Sequence, residues 1–148
     1  MIAIGSDHGG LNLKNEIKLF LIKKNIQVKD YGSCSDESVD YPDYGHDVAR
    51  AVASGECEKG IIICGTGIGI SVSANKVPGI RAALCTDAYM ARMSREHNNA
   101  NVLALGGRVI GAGLALDIVD TWLSSEFINE GRHRKRVSKI DDIEKKYL

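Results

Sequence analysis

Five short apolar runs punctuate the chain, at residues 2–6 (IAIGS), 26–30 (IQVKD), 60–64 (GIIIC), 80–84 (IRAAL) and 102–106 (VLALG). Their length and β-branched content suit parallel strands buried on both faces, which read as continuous apolar runs. The segments between them follow a helical period. Residues 11–24 put Leu13, Ile17, Phe20 and Leu21 on one face, Val48, Ala51 and Val52 do the same after Pro42, and Ile118, Val119, Trp122 and Leu123 repeat it later. Alternation of strand and helix predicts βαβ units in one α/β domain over residues 1–148, with helices on both faces of a five-stranded parallel sheet. After "EGRHRKR" a short stripe of Ile140, Ile143 and Tyr147 follows. So short a helix is marginal alone, so the stripe must bury itself against its own sheet or a second protomer.

Composition narrows the class. A length of 148 residues suits one domain with a real core and not two. Lys+Arg and Asp+Glu balance at 19 each, so no global field draws the chain to nucleic acid. No N-terminal stretch has the regions of a signal peptide and no apolar run is long enough to span a bilayer, so a soluble cytoplasmic protein is expected. The four cysteines, Cys34, Cys57, Cys64 and Cys85, form no C-x-x-C pair and match no zinc spacing. Disulfides are not expected in a reducing compartment. Cys34 reads as a loop residue, and Cys57 and Cys85 as small core or surface thiols. Cys64 differs because it stands where a buried strand enters the glycine-rich turn of "IIICGTGIGIS".

Ligands of open α/β sheets bind beyond the carboxyl ends of the strands, where chain order reverses. With strands ordered 2-1-3-4-5, the first strand's "SDHGG" and the third strand's "CGTGIG" meet, and Asp7, His8, Cys64 and Thr66 line one pocket. Gly65, Gly67 and Gly69 let backbone approach a ligand, and the next helix offers unpaired N–H groups to an anion. A dinucleotide fingerprint needs a glycine where Ile70 stands, and the loop follows the third strand; only Asp87, where a ribose-binding acid would lie, speaks for it. A thiol phosphatase needs an arginine at that same position and fails on chemistry. A third reading gives the loop an enediolate oxyanion, formed when a proton leaves the carbon beside a sugar carbonyl. A helix N-terminus lowers a thiol pKa from about 8.5, which makes Cys64 the proton shuttle. A phosphate- or nucleotide-binding sensor is the non-enzymatic alternative.

"SDHGG", "DYPDYG", "CGTGIGIS", "ANKVPGIRAA", "REHNNANVLALGGRVIG" and "GRHRKRV" together resemble ribose-5-phosphate isomerase type B, in a superfamily shared with galactose-6-phosphate isomerase subunits. The resemblance runs nearly end to end. It implies a Rossmann-like three-layer sandwich and an aldose–ketose isomerase of the non-oxidative pentose phosphate pathway, without metal or cofactor. The enzyme would interconvert ribose 5-phosphate and ribulose 5-phosphate through a cis-enediolate. Homodimers or dimers of dimers with shared active sites are also implied, the C-terminal helix packing on a partner protomer. A hexose 6-phosphate, of allose or galactose, is the alternative substrate.

Carried over residue by residue, Cys64 resembles the base and Gly65, Thr66, Gly67, Ile68 and Gly69 the anion hole, with the Thr66 hydroxyl assisting. His97 resembles the acid/base that opens the furanose ring, and Asn98 a substrate contact. Asp7 and His8 match the substrate-binding pair, and Arg108, Arg132 and Arg136 the phosphate ligands. A branch of the family that uses a loop glutamate as base would carry it at Ile70, so this chain falls in the cysteine branch. On their own chemistry, Asp7 is also a helix cap, His97 a helix C-terminal histidine and Arg108 a surface arginine. Arg132 and Arg136 stand one helical turn apart, so both can face one phosphate while Arg134 and Lys135 point to solvent. His46 reads as scaffold, Tyr44 as bordering the sugar pocket, and His133 lies outside the site. Because His97 precedes the fifth strand, it is expected at the edge of the sheet opposite Cys64. It would therefore serve a partner's site.

Overall fold

The computed structural model describes residues 1–148 as alternating strands and helices. The strands are β1 (Ile2–Ser6), β2 (Val28–Asp30), β3 (Lys59–Cys64), β4 (Ala82–Leu84) and β5 (Val102–Gly106). The helices are α1 (Leu11–Lys23), α2 (Tyr41–Ala53), α3 (Ile68–Ala74), α4 (Ala88–Glu96), α5 (Ala112–Ser124) and α6 (Gly131–Lys145), with a 3₁₀ turn at His8–Gly10. All strand pairs are parallel. No helix is long and apolar enough to cross a membrane.

Alternation of side chains along each strand feeds two cores. Ile61 and Ile63 join Leu13, Ile17, Leu21, Ile118 and a fully buried Trp122 on the face covered by α1 and α5. Ile62 and Cys64 join Val48, Val52, Ile70 and Ala74 on the face covered by α2 and α3. Each fully buried aliphatic side chain contributes about 1.5–3 kcal/mol, so both helical layers are held by the run Ile61 to Cys64 of β3. The apolar stripes read from the sequence are the faces that pack.

The sheet order is β2-β1-β3-β5-β4, which corrects the expected 2-1-3-4-5 by exchanging the last two strands. The reason is burial. β5 (VLALG) is five residues long with three large apolar side chains to bury, whereas β4 (AAL) is three residues long with one. In the assembled sheet β5 is buried at every position and β4 only half-buried. A central place needs the fully apolar strand, and a short strand with little to bury belongs at the edge. β2, also three residues long, forms the other edge. The exchange matters for the site because it sets the turn after β5 directly beside the turn after β3.

Helix α6 has a single buried residue, Val137. Ile140, Ile143 and Tyr147 are all exposed, so the C-terminal stripe does not bury itself against its own sheet. The helix is tied near the amino end of β4 by an Arg81–Asp141 ion pair (3.2 Å) and by the Gly79 N–H donating to Glu144 (3.0 Å).

Candidate active site

Three turns converge at the carboxyl end of the sheet. In the first, Asp7 Oδ1 accepts from the N–H groups of Gly9 (2.9 Å) and Gly10 (3.2 Å), so the residue caps the 3₁₀ turn while Oδ2 makes no hydrogen bond. The His8 ring is fixed by the Val39 N–H, which donates to Nδ1 at 3.2 Å. That bond leaves the proton of a neutral imidazole on Nε2.

The second turn follows β3. Cys64, 4 % exposed, receives the Gly67 N–H on Sγ at 3.1 Å. Gly67 caps α3 at φ +81°, and a Cβ there would meet Leu84 Cδ1 at 2.6 Å and the Leu105 carbonyl carbon at 2.8 Å, so only glycine fits. Thr66 Oγ1 accepts the Ile68 N–H at 3.2 Å, which leaves the hydroxyl proton free to donate. The N–H groups of Gly65, Thr66, Gly69 and Ile70 have no acceptor within the chain. Such orphan donors at a helix start form an anion cradle.

The third turn follows β5. The Gly107 N–H donates to the Cys64 carbonyl (2.8 Å) and the Arg108 N–H to the Gly65 carbonyl (3.0 Å). A Cβ on Gly107 would lie 2.6 Å from the Gly9 carbonyl oxygen, so the first and third turns touch through bare backbone. The Arg108 side chain runs along Gly65, where a Cβ would be 3.4 Å from Nη1. Asp7, His8, Cys64, Thr66, the glycine loop and Arg108 are thus brought together, and Arg108 joins them through the exchanged strand order.

A second group lies at the opposite end of the sheet. His97 caps the end of α4, ahead of β5, and its ring stacks on that of His133 with centroids 4.0 Å apart and planes inclined by 13°. Partial burial, then repulsion from His97, Arg132 and Arg136, holds the His133 pKa below the ordinary 6.5, with Glu96 opposing. Arg132 and Arg136 line a basic groove of about 280 Å³ together with Lys135 and Lys139. Lys135 is exposed, as expected, and also lines this groove, because positions three and four residues apart share a helix face. Asn98 borders a separate groove with Ile80, Ile140 and Tyr147. β5 alone spans about 13 Å, so the structure keeps His97, Asn98, Arg132 and Arg136 apart from Cys64 within one chain.

Two residues not assigned to the site from the sequence lie against residues that were. His133, left outside the site, is the stacking partner of His97. Tyr41 reaches the glycine loop, where a Cβ on Gly69 would sit 2.5 Å from its Cζ, and the Tyr44 ring lies against Gly32. Tyr41 lies within DYPDYG and His133 within GRHRKRV, but neither has a periodic signal that separates it from its neighbours. Cys34 is exposed, and Cys57 and Cys85 are buried; burial pushes the Cys85 thiol up to about 11, so it is inert at neutral pH. No three His, Cys, Asp or Glu side chains converge as metal ligands.

A family model described as Ribose/Galactose Isomerase matches residues 2–140. Ribose-5-phosphate isomerase B of Escherichia coli is 51% identical over 145 residues, covering 98% of this chain and 97% of that protein. A solved structure of ribose-5-phosphate isomerase B from Clostridium thermocellum superposes with a TM-score of 0.97 at 68% identity, over 99% of both chains. The Mycoplasma genitalium ribose-5-phosphate isomerase B, solved with bound ribulose-5-phosphate, gives a TM-score of 0.93 at 42% identity, covering 97% of this chain and 95% of that one.

Proposed function

We propose, from the premise that the chain belongs to the ribose/galactose isomerase family, that it interconverts ribose 5-phosphate and ribulose 5-phosphate through a cis-enediolate. The observation that carries the reading is the Cys64 sulfur, held by the Gly67 N–H beside four backbone donors without acceptors. His97 protonates the ring oxygen and takes the proton of the anomeric hydroxyl, which opens the furanose. The Cys64 thiolate removes the proton from C2, the C1 carbonyl becomes the enediolate oxygen, and the loop N–H groups and the Thr66 hydroxyl stabilise its charge. Return of the proton to C1, with a hydroxyl proton passing from O2 to O1, gives the ketose. Positioned general base catalysis contributes about 10²–10⁴ in rate. Asp7 and His8 hold sugar hydroxyls, and Arg108, Arg132 and Arg136 hold the phosphate.

The separation of Cys64 from His97 and the α6 arginines supports a site shared between two copies, with α6 laid across the partner so that His97, Asn98, Arg132 and Arg136 reach the other chain's Cys64. The exposed stripe of Ile140, Ile143 and Tyr147 supports the same arrangement. We assign the reaction to the cytoplasm, where four free thiols persist reduced.

The test is incubation with ribose 5-phosphate in deuterated water. Ribulose 5-phosphate should form, and deuterium should enter C1 or C2. The Cys64→Ala variant should lose at least about 100-fold in turnover while still binding substrate. A protein that binds ribose 5-phosphate but neither converts nor exchanges it is a sensor and overturns the reading. Parallel assays on allose and galactose 6-phosphates decide the chain length of the sugar.

A further inference from the structure

Arg95 lies on α4 two residues before His97 and is 8 % exposed. No carboxylate pairs with it. Its guanidinium spends its donors on the chain that follows His97: Nη1 reaches the Ala100 carbonyl and Asn99 Oδ1 (3.3 Å), and Nε reaches the Ser125 carbonyl (3.4 Å). The guanidinium carbon lies 5.7 Å from the centre of the Trp122 ring. Asn99 adopts φ +49°, a left-handed conformation that reverses the chain immediately after His97 and Asn98. The same reversal is held by Arg81 Nε on the Asn99 carbonyl (3.1 Å) and by the Ala100 N–H on the Ser94 carbonyl (2.9 Å).

A residue needed only to pack on Trp122 would be aliphatic, because burying an unpaired cation is unfavourable. Three acceptors converging from one turn and from the end of α5 give the charge a different purpose. We propose that Arg95 is a positioning residue for the ring-opening step: it grips the turn after His97 and so sets the imidazole and Asn98 in place. The proposal rests on the reading of His97 as the group that opens the furanose. Arg95 itself touches no substrate.

Its effect should fall on ring opening and leave enolisation alone. Ribulose 5-phosphate has its terminal hydroxyl esterified and forms no furanose, so wash-in of solvent deuterium at its C1 reports proton transfer without any ring step. Turnover starting from ribose 5-phosphate includes ring opening. For Arg95→Met, turnover from ribose 5-phosphate should fall about ten-fold or more while wash-in falls less than about two-fold, and Arg95→Lys should recover part of the loss. Asn99→Gly keeps the backbone conformation but removes one acceptor, and should show the same selective loss more weakly; it carries the test if Arg95→Met does not fold. His97→Asn, measured alongside, should also raise the ratio of wash-in to turnover. If His97→Asn does not raise the ratio, the reading of His97 fails and this proposal with it. If His97→Asn raises the ratio and the Arg95 and Asn99 variants leave it at the wild-type value, Arg95 is merely structural and the proposal alone is overturned.

Discussion

Replacing Gly67 by alanine tests the link between backbone geometry and the reactive sulfur. At φ +81° a side chain costs about 1–2 kcal/mol from its own carbonyl. The added Cβ would also stand 2.6 Å from Leu84 Cδ1 and 2.8–2.9 Å from the Leu105 carbonyl atoms. Leu84 can turn, but Leu105 is backbone in the doubly covered strand β5, and overpacking of that kind costs about 1–3 kcal/mol. The total is about 2–5 kcal/mol, or a fall in melting temperature on the order of 10 °C for a chain of this size. Relief of the clash must move the turn, and with it the N–H that reaches Cys64 Sγ at 3.1 Å. The same movement displaces the loop N–H groups without acceptors, and loss of one preorganised donor at the developing enediolate charge lowers kcat by about 10²–10³. Gly55 supplies the control: it has the same φ of +81°, but a Cβ there meets nothing within 4 Å. Gly55→Ala should show the strain alone, with turnover unchanged. Thermal unfolding and initial rates on ribose 5-phosphate measure both effects. Equal melting temperatures for the two variants, or full activity in Gly67→Ala, would refute the reasoning.

Other outcomes follow from the same geometry. Mixing inactive Cys64→Ala and His97→Asn proteins after dissociation should restore about a quarter of wild-type activity, because half the reassembled dimers then hold one intact composite site; no recovery argues against shared sites. Lys14 is almost fully buried and bonds Asp30 at 2.9 Å and the Ser33 carbonyl. Lys14→Met should cost about 2–4 kcal/mol in denaturant unfolding, below the upper range for a broken buried pair because Lys18 still holds Asp30. Burial alone would raise the Asp30 pKa, but Lys18, the Gly32 N–H and Lys14 outweigh it and hold the carboxyl below 3.8. Asp30 therefore stabilises the fold above about pH 4 and loses that contribution as pH falls through its folded value, a loss that Lys14→Met should shrink in acid titration. For His133 the folded pKa is also lowered, from 6.5, so its contribution is present above that value and is lost as pH falls through the lower folded one. His133→Asn should flatten the decline of the urea midpoint between about pH 7 and pH 5, and an unaltered slope would contradict the stacked arrangement.

Most of the carboxyl-end cluster is legible in the sequence. The runs IAIGS, GIIIC and VLALG announce strands, and the residues that must leave them ("SDHGG", "CGTGIG", "GGR") announce where the chain turns. Turn chemistry is local, so Asp7 as a cap and a glycine loop that lets backbone approach a ligand follow from a few adjacent residues. The expected separation of His97 from Cys64 also holds, because it depends only on which end of a parallel strand a residue precedes. Missing from the sequence reading were Tyr41 over Gly69, His133 on His97 and the buried Arg95. Each involves a side chain whose partner is set by how two elements pack, and no spacing rule reports that.

Sequence alone therefore determined the periodicities, the two apolar faces of β3, the glycine turn and the residue types offered to a ligand, since each is decided by neighbours along the chain. Tertiary structure decided that β5 lies between β3 and β4, that Arg108 consequently flanks Gly65, and that a buried arginine in no ion pair closes the turn behind His97. Those outcomes compare the burial of whole elements in competing arrangements. Five fully buried residues in β5 against three half-exposed ones in β4 is a difference that exists only once the sheet has assembled.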